Sequence, residues 1–453
     1  MSSEAQRNWY QHPYIALILL VLSKIGVGGL NLLAFMLMAA SVGAGDISAY
    51  AVDVAIVAAL MATSESSEYA YVRVMAVSPK LLWPHIALHM IRAKAITIGL
   101  CLLVMLLVPL GYGLAAYDLP RWTSILPLVC LQGIMTTLLG AHTSYLSGRD
   151  SQRAYTWVNF VNALASMAAA VWVWWVDGDI SIYLSVNAGL TFFIIACVYW
   201  GSVRVCGRMS MMVWRSRRGS SAKRRVIGDQ YHAVYKSVLG VAYLSTIKNN
   251  TLIFVMGHQG NDQALAAFAV AKRVFDFLHK GMAGFLEQLY VRLSKMADDG
   301  RSKLESGIGK LYCLRIAVAL GAGAMLWFYS RISGDDAWPD SYLALIAVVG
   351  AFVMLYFATI ATLMVSKYEP LELFRSAVYS ASIYAIVPLV FANALPPAFT
   401  PLAHLACSVL AGLPLCIRTF SSHDFGRVLI WYGVTVLIVT LGLAWLLIGY
   451  WMR

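Results

Sequence analysis

Ten charged side chains fall inside runs of apolar sequence long enough to cross a bilayer. They are Lys24, Lys248, Lys272, Arg273 and Lys280, with Asp53, Glu65, Glu68, Asp276 and Glu287. Their spacing is helical. Lys272, Asp276, Lys280 and Glu287 follow at steps of four, four and seven, one stripe about 22 Å long at about 1.5 Å per residue. Arg273 and His279 flank it. Asp53, Val57, Ser64 and Glu68 share a face of another run, with Glu65 beside them. Lys24 and Lys248 lie near the middle of two more. Buried cations of this kind hold anions, and buried carboxylates exchange a proton or a sodium ion. Facing lipid, each charge would cost about 2.5–3.5 kcal/mol and all ten roughly 25–35 kcal/mol. Net fold stability is only about 5–15 kcal/mol, so these groups must face protein or water. Two arrangements allow that. Pairs such as Lys272–Asp276 or Asp276–Lys280 can neutralise each other between packed helices, or the groups can line a wet cavity for an anionic or sugar-bearing substrate. Glu68–Arg73 and Glu287–Arg292 are candidate pairs at the cytoplasmic edge.

The elements that must position these residues are helices. Of 453 residues, 60% are apolar and 12% charged, about half the charged share of a soluble domain. That excludes a soluble enzyme, a fibrous protein and a disordered chain. Thirteen spans are read, over 14–40, 47–72, 87–115, 123–146, 154–176, 181–203, 235–256, 264–291, 311–330, 341–365, 373–392, 399–420 and 428–450. The expected fold is therefore an all-α polytopic membrane protein of about 13 helices, with 12 to 14 allowed.

The net charge of +12 follows the same frame. With the N-terminus in the cytoplasm, Lys and Arg crowd the cytoplasmic segments and the span ends beside them. Only Arg121, Arg331 and Arg453 fall outside. This is the positive-inside pattern. The outside connections are short and acidic (Asp118; Asp177 and Asp179; Asp262; Asp335, Asp336 and Asp340). The long connection Arg204–Val234 is cytoplasmic and basic, with Arg215, Arg217, Arg218, Lys223, Arg224 and Arg225, which suits anchoring on anionic lipid. The first run, Tyr14–Ala40, is too long for a signal peptide.

The sequence repeats. Glu68-Tyr-Ala-Tyr-Val-Arg73 matches Glu287-Gln-Leu-Tyr-Val-Arg292, 219 residues apart, at the cytoplasmic ends of the second and eighth spans. An even number of spans per repeat gives parallel halves. The expected organisation is an N-lobe over 1–203, a basic linker over 204–234, a C-lobe over 235–420 and an added helix over 421–453. The first two spans of each repeat supply the charged constellation. Lobes facing each other would enclose a polar cavity, acidic on one side and mostly cationic on the other.

Other motifs carry less. His85 and His89 have zinc-ligand spacing but no nearby acid, so an interfacial role fits better. His404 reads as a packed histidine. The Trp172, Trp174 and Trp175 cluster reads as an interfacial belt. Pro109, Pro127, Pro388 and Pro414 are candidate kinks, and Gly26, Gly28 and Gly29 soften the first span. The seven cysteines suggest reduced thiols and no disulfide framework. There is no P-loop, no Gly-x-Ser-x-Gly and no His-Glu-x-x-His, and no metal site or enzyme is expected.

Three stretches resemble a known family. They are SVGAGDISAYAVDVAIVAAL after the first span, GHQGNDQALAAFAVAKRVFDFL after the seventh, and LYVRLSKMADDGRSKLESGIGKLY after the eighth. Over about residues 14–420 the layout is similar to the multidrug/oligosaccharidyl-lipid/polysaccharide (MOP) flippase superfamily, and most to its Wzx-type polysaccharide flippases. Thirteen spans depart from the usual twelve or fourteen. The resemblance implies two six-helix lobes in a bacterial inner membrane that flip undecaprenyl-diphosphate-linked oligosaccharide repeat units by alternating access. Cavity cations would bind the diphosphate, here Lys24, Lys248, Lys272, Arg273 and Lys280. Asp53, Glu65, Glu68, Asp276 and Glu287 are the candidates for a coupling proton or sodium ion, with no other cofactor. The implied partners are membrane lipids and other polysaccharide-assembly proteins, without nucleic acid, around a monomer.

Two rivals remain. A multidrug or small-solute exporter of the same superfamily would want a net acidic cavity for organic cations. A membrane polysaccharide polymerase or ligase would want a sizeable outside loop bearing arginines and histidines.

Overall fold

A computed structural model describes residues 13–78, 83–114, 125–148, 152–216, 221–293, 300–332, 341–368, 370–422 and 426–451. Among its helical residues, the side chains of 13–25, 142–148, 152–156, 200–216 and 283–293, and that of Lys280, fall outside the description, as do some others at helix ends. The elements are α1 Pro13–Ser41, α2 Ala44–Val77, α3 Trp83–Leu114, α4 Leu126–Gly148, α5 Gln152–Trp175, α6 Ile180–Ser216, α7 Ser221–His258, α8 Asp262–Leu293, α9 Gly300–Ile332, α10 Ser341–Tyr368, α11 Pro370–Ala394, a 3-10 turn Pro397–Phe399, α12 Leu402–Ser422 and α13 Gly426–Trp451. Each of the thirteen expected spans falls on one of these helices.

Helix is what lipid demands, because the backbone must satisfy its own hydrogen bonds there. Ten segments of the described residues are long and apolar enough to cross a membrane, and α1 and α4 add the shorter apolar stretches Gly26–Ser41 and Leu126–Ala141. Helix α8 is not among the ten; Lys272, Arg273 and Asp276 dilute its apolar run. The chain is an all-α polytopic membrane protein.

Short turns join some helices. After α5, Asp177 takes φ 49°, and the Asp179 carboxylate accepts from the Ile182 N–H at 2.9 Å, capping α6. Between α7 and α8 the turn His258-Gln-Gly-Asn261 places Gly260 at φ 69°, where a side chain would be strained. Asn261 Oδ1 accepts from the Ala264 N–H at 3.0 Å and starts α8.

The chain divides into two compact units, Met1–Thr246 and Ile247–Arg453. In the first, α1 packs on α5, while α2, α3, α4 and α6 form the rest of the bundle. Its core joins Ala70, Tyr71, Val74 and Met75 of α2 to Ile86, Ala87 and Met90 of α3 and to Tyr231 of α7. Polar pairs tie α5 to α6, with Ser166 donating to Asn187 at 3.1 Å and Thr191 to Asn162 at 3.2 Å. In the second unit an aromatic core of Tyr356, Phe357, Phe420 and Tyr432 joins α10, α12 and α13.

Six helix pairings of the first unit recur six helices later. They are α2–α3, α3–α4, α2–α4, α4–α5, α4–α6 and α5–α6, matched by α8–α9, α9–α10, α8–α10, α10–α11, α10–α12 and α11–α12. Helix α13 packs on α9, α10 and α12. The basic segment 204–234, read from sequence as a connection, is helical through Ser216 and again from Ser221. Arginine and lysine are good helix formers, so the helix continues past the apolar run.

Helix α13 meets α9 closely at Gly309. A Cβ there would lie 2.5 Å from Cη2 and 3.0 Å from Cζ3 of the Trp431 ring, whereas one at Gly321 on the same helix meets nothing within 4 Å. Gly309→Ala should therefore cost about 1–3 kcal/mol by overpacking. It is expected to lower Tm in detergent by several degrees while Gly321→Ala leaves it near the parent value.

Candidate membrane-embedded charge sites

The unit Met1–Thr246 places its charges on α2, where the sequence expects them, but gives them different partners. Asp53 is fully buried, and neither carboxylate oxygen has a hydrogen-bond partner among the described residues. Cys130 of α4 lies within its electrostatic reach. Stranding an ionised carboxylate in such a place is costly unless a proton or a cation accompanies it.

About three turns further along, the stretch Thr63–Glu68 is crowded with hydroxyls. Ser66 donates to the Ala62 carbonyl and Ser67 to the Ser64 carbonyl, each at 2.7 Å, so these serines are satisfied within their own helix. Thr63 pairs with the Tyr243 hydroxyl at 3.0 Å. Glu68 forms an ion pair with Lys94 of α3. It does not pair with Arg73, which is exposed; a five-residue step rotates about 140° around a helix at 100° per residue and carries Arg73 to another face. Glu65 is exposed beside this cluster.

The unit Ile247–Arg453 gathers a second group from α7, α8, α11 and α12. Lys272 and Asp276 pair at 2.5 Å, one helical turn apart. The Lys248 ammonium stands 5.3 Å from the centre of the Tyr384 ring, a cation–π distance. The His404 ring lies edge-on to Phe268 at 5.4 Å and to Tyr384 at 5.9 Å. It is within electrostatic reach of Lys272, Asp276 and Lys248, and Lys248 is within reach of Lys272 and Cys407. Among the described residues, two lysines therefore share this neighbourhood with a single close carboxylate. Chemically, it can receive an anion, with His404 and Tyr384 as further polar groups.

Among the expected cations the structure brings Lys248 and Lys272 together with Asp276, and leaves Arg273 exposed on α8. Lys24, Lys280 and Glu287 lie on α1 and α8, but their side chains are outside the described residues.

Sequence reading missed two buried cations and the charged surroundings of His404. Lys94 is 3% exposed and Arg315 fully buried, although both look like span ends facing the cytoplasm. Arg315 Nε donates to the Phe352 carbonyl at 2.7 Å, and its guanidinium carbon lies 3.8 Å from the centre of the Phe352 ring. The signal was in the repeat, since Lys94 and Arg315 stand 221 residues apart on α3 and α9, near the 219-residue offset. His404, read as a packed ring, is packed and also sits among charges. Its neighbours come from three other helices, which no local pattern reveals.

No family model matches the chain, and no curated protein matches it. Solved structures do. The MATE multidrug transporter DinF-BH is 12% identical, with TM-score 0.57, covering 91% of this chain and 96% of its own. The outward-facing conformation of a multidrug resistance MATE family transporter of the MOP superfamily is 10% identical, with TM-score 0.53 and coverage of 94% and 96%. A MOP superfamily transporter from Pyrococcus furiosus, whose binding pocket of reverse polarity is said to suggest a different function, is 11% identical, with TM-score 0.50 and coverage of 94% and 96%. At such identities the likeness is one of fold. This multi-pass membrane protein has the fold seen in transporters of the MOP superfamily.

Proposed function

We propose that this protein is a secondary transporter that flips lipid-diphosphate-linked oligosaccharide repeat units across a bacterial inner membrane by alternating access. The observation that carries this reading is the pair of lysines, Lys248 and Lys272, set with His404 and Tyr384 among the helices of the unit Ile247–Arg453. A diphosphate headgroup carries two or more negative charges and needs cations that are already desolvated. Charge-assisted hydrogen bonds to such cations are about twice as strong as neutral ones. Lys24, Arg273 and Lys280 complete the proposed substrate-binding set. The reading places the N-terminus in the cytoplasm, and it makes Asp53 the first candidate for the coupling ion, ahead of Glu65, Asp276 and Glu287.

A second reading is a multidrug or small-solute exporter of the same fold. Its support is Asp53, a buried carboxylate without a hydrogen-bond partner among the described residues, together with neighbours that include multidrug transporters. A deletion strain separates the two. The flippase reading expects lipid-linked repeat units to accumulate on the cytoplasmic face with drug susceptibility unchanged. The exporter reading expects the reverse.

Replacing either lysine, as Lys248→Ala or Lys272→Ala, should cut export of the repeat unit at least tenfold while membrane insertion is retained. Wild-type polymer levels in both variants would remove these residues from the site. Asp53→Asn removes a buried charge and keeps the shape. It should leave Tm equal or higher and abolish transport driven by an imposed proton or sodium gradient. Undiminished gradient-driven transport would exclude Asp53 from coupling.

A further inference from the structure

Lys94 and Arg315 occupy matching places in the two repeats, and the transport reading uses neither. Each comes from the third helix of its repeat, reaches a main-chain carbonyl on the fourth and meets a side chain of the second. For Lys94 those partners are the Thr137 carbonyl of α4 and Glu68 of α2; for Arg315 they are the Phe352 carbonyl of α10 and His279 of α8. A guanidinium has no acceptor, so His279 Nδ1 accepts from Arg315, at 2.9 Å.

The surroundings of Lys94 have a further property. Its ammonium donates to Glu68 Oε1, to Ser64 Oγ at 3.0 Å and to the Thr137 carbonyl at 3.2 Å. Three N–H groups meet three oxygens, so the head is saturated. Without the ammonium, a carboxylate, a hydroxyl and a carbonyl converge on one buried point. These are hard oxygen donors, the type that binds alkali and alkaline-earth cations, and in membrane transporters carbonyls serve sodium sites in this way. Among the described residues, Glu68 is the one carboxylate that touches this point, with Glu65 within electrostatic reach of it; a single directly coordinating negative charge matches a monovalent ion, such as an ammonium, better than a divalent one.

We propose that Glu68, Ser64 and the Thr137 carbonyl form a monovalent-cation site whose occupant is the chain's own Lys94 ammonium. The unit Met1–Thr246 thus carries its cation covalently at this point and takes up no sodium or potassium there from solution. Glu68, an ion-exchange candidate by sequence, is then permanently neutralised and drops out of coupling. The claim does not depend on what the transporter carries.

The test is thermal unfolding of the purified full chain in detergent, with NaCl, KCl or methylammonium chloride against choline chloride at constant ionic strength. Wild type should melt at one temperature in all four salts. Lys94→Ala should melt lower in choline and recover with a saturable rise in Tm on adding NaCl, KCl or methylammonium. The rise should vanish in Lys94→Ala/Glu68→Gln. A Lys94→Ala Tm that ignores the cation would overturn the proposal, as would an equal saturable rise in wild type. Lys94→Met, which keeps the aliphatic stem, is carried in parallel. If neither single variant yields folded protein in any of the salts, a free ion cannot replace the tethered one and the proposal fails.

Discussion

An ionised side chain at bilayer depth is stable only where protein or water receives it, and this requirement organises the whole molecule. The charges that the chain carries inside its spans would outweigh a normal fold's stability if they met lipid. Helix packing therefore has to turn them inward. The second and eighth helices hold most of them, and each is packed against the two helices that follow it. Glu65 on α2 and Arg273 on α8 are counterexamples, both lying exposed.

The two repeats meet this requirement with different chemistry. In the first unit, hydroxyls and one ion pair absorb the charge: Ser64, Glu68 and Lys94 form a closed group, and Ser66 and Ser67 bond back onto their own helix. Asp53 stands apart from that economy, buried and without a hydrogen bond from the described residues. In the second unit Lys248 leans on an aromatic ring, and Lys272 shares Asp276 at a distance of one turn. Among the described residues, Lys248 and Lys272 have one close carboxylate, Asp276, and this is the physical basis for proposing an anionic cargo at that unit.

The fold was legible in the sequence for a simple reason. Lipid leaves the backbone few options, so apolar run length translates directly into helix. The repeat was legible as well, because Glu68 and Glu287 sit at corresponding helix ends, and the pairings of α2 to α6 recur from α8 to α12. The candidate sites were legible only as faces. Helical spacing put Lys272 and Asp276 together, since both lie on one helix. It could not pair Glu68 with Lys94, because that choice depends on how α3 approaches α2. Nor could it place His404 beside residues from other helices. Lys94 and Arg315 were hidden by the positive-inside pattern itself, which absorbs any cation near a span end as a topology marker.

The central claim is that the lysines of the second unit receive a phosphate-bearing headgroup. It is tested most directly by equilibrium binding of undecaprenyl diphosphate to the purified protein in nanodiscs, with undecaprenol as the uncharged control. The account predicts saturable binding of the diphosphate alone. In Lys248→Met/Lys272→Met, loss of charge-assisted contacts worth about 1.5–3 kcal/mol should weaken it roughly tenfold to a hundredfold. Equal affinity for diphosphate and alcohol, or an unchanged Kd in the double variant, would contradict it.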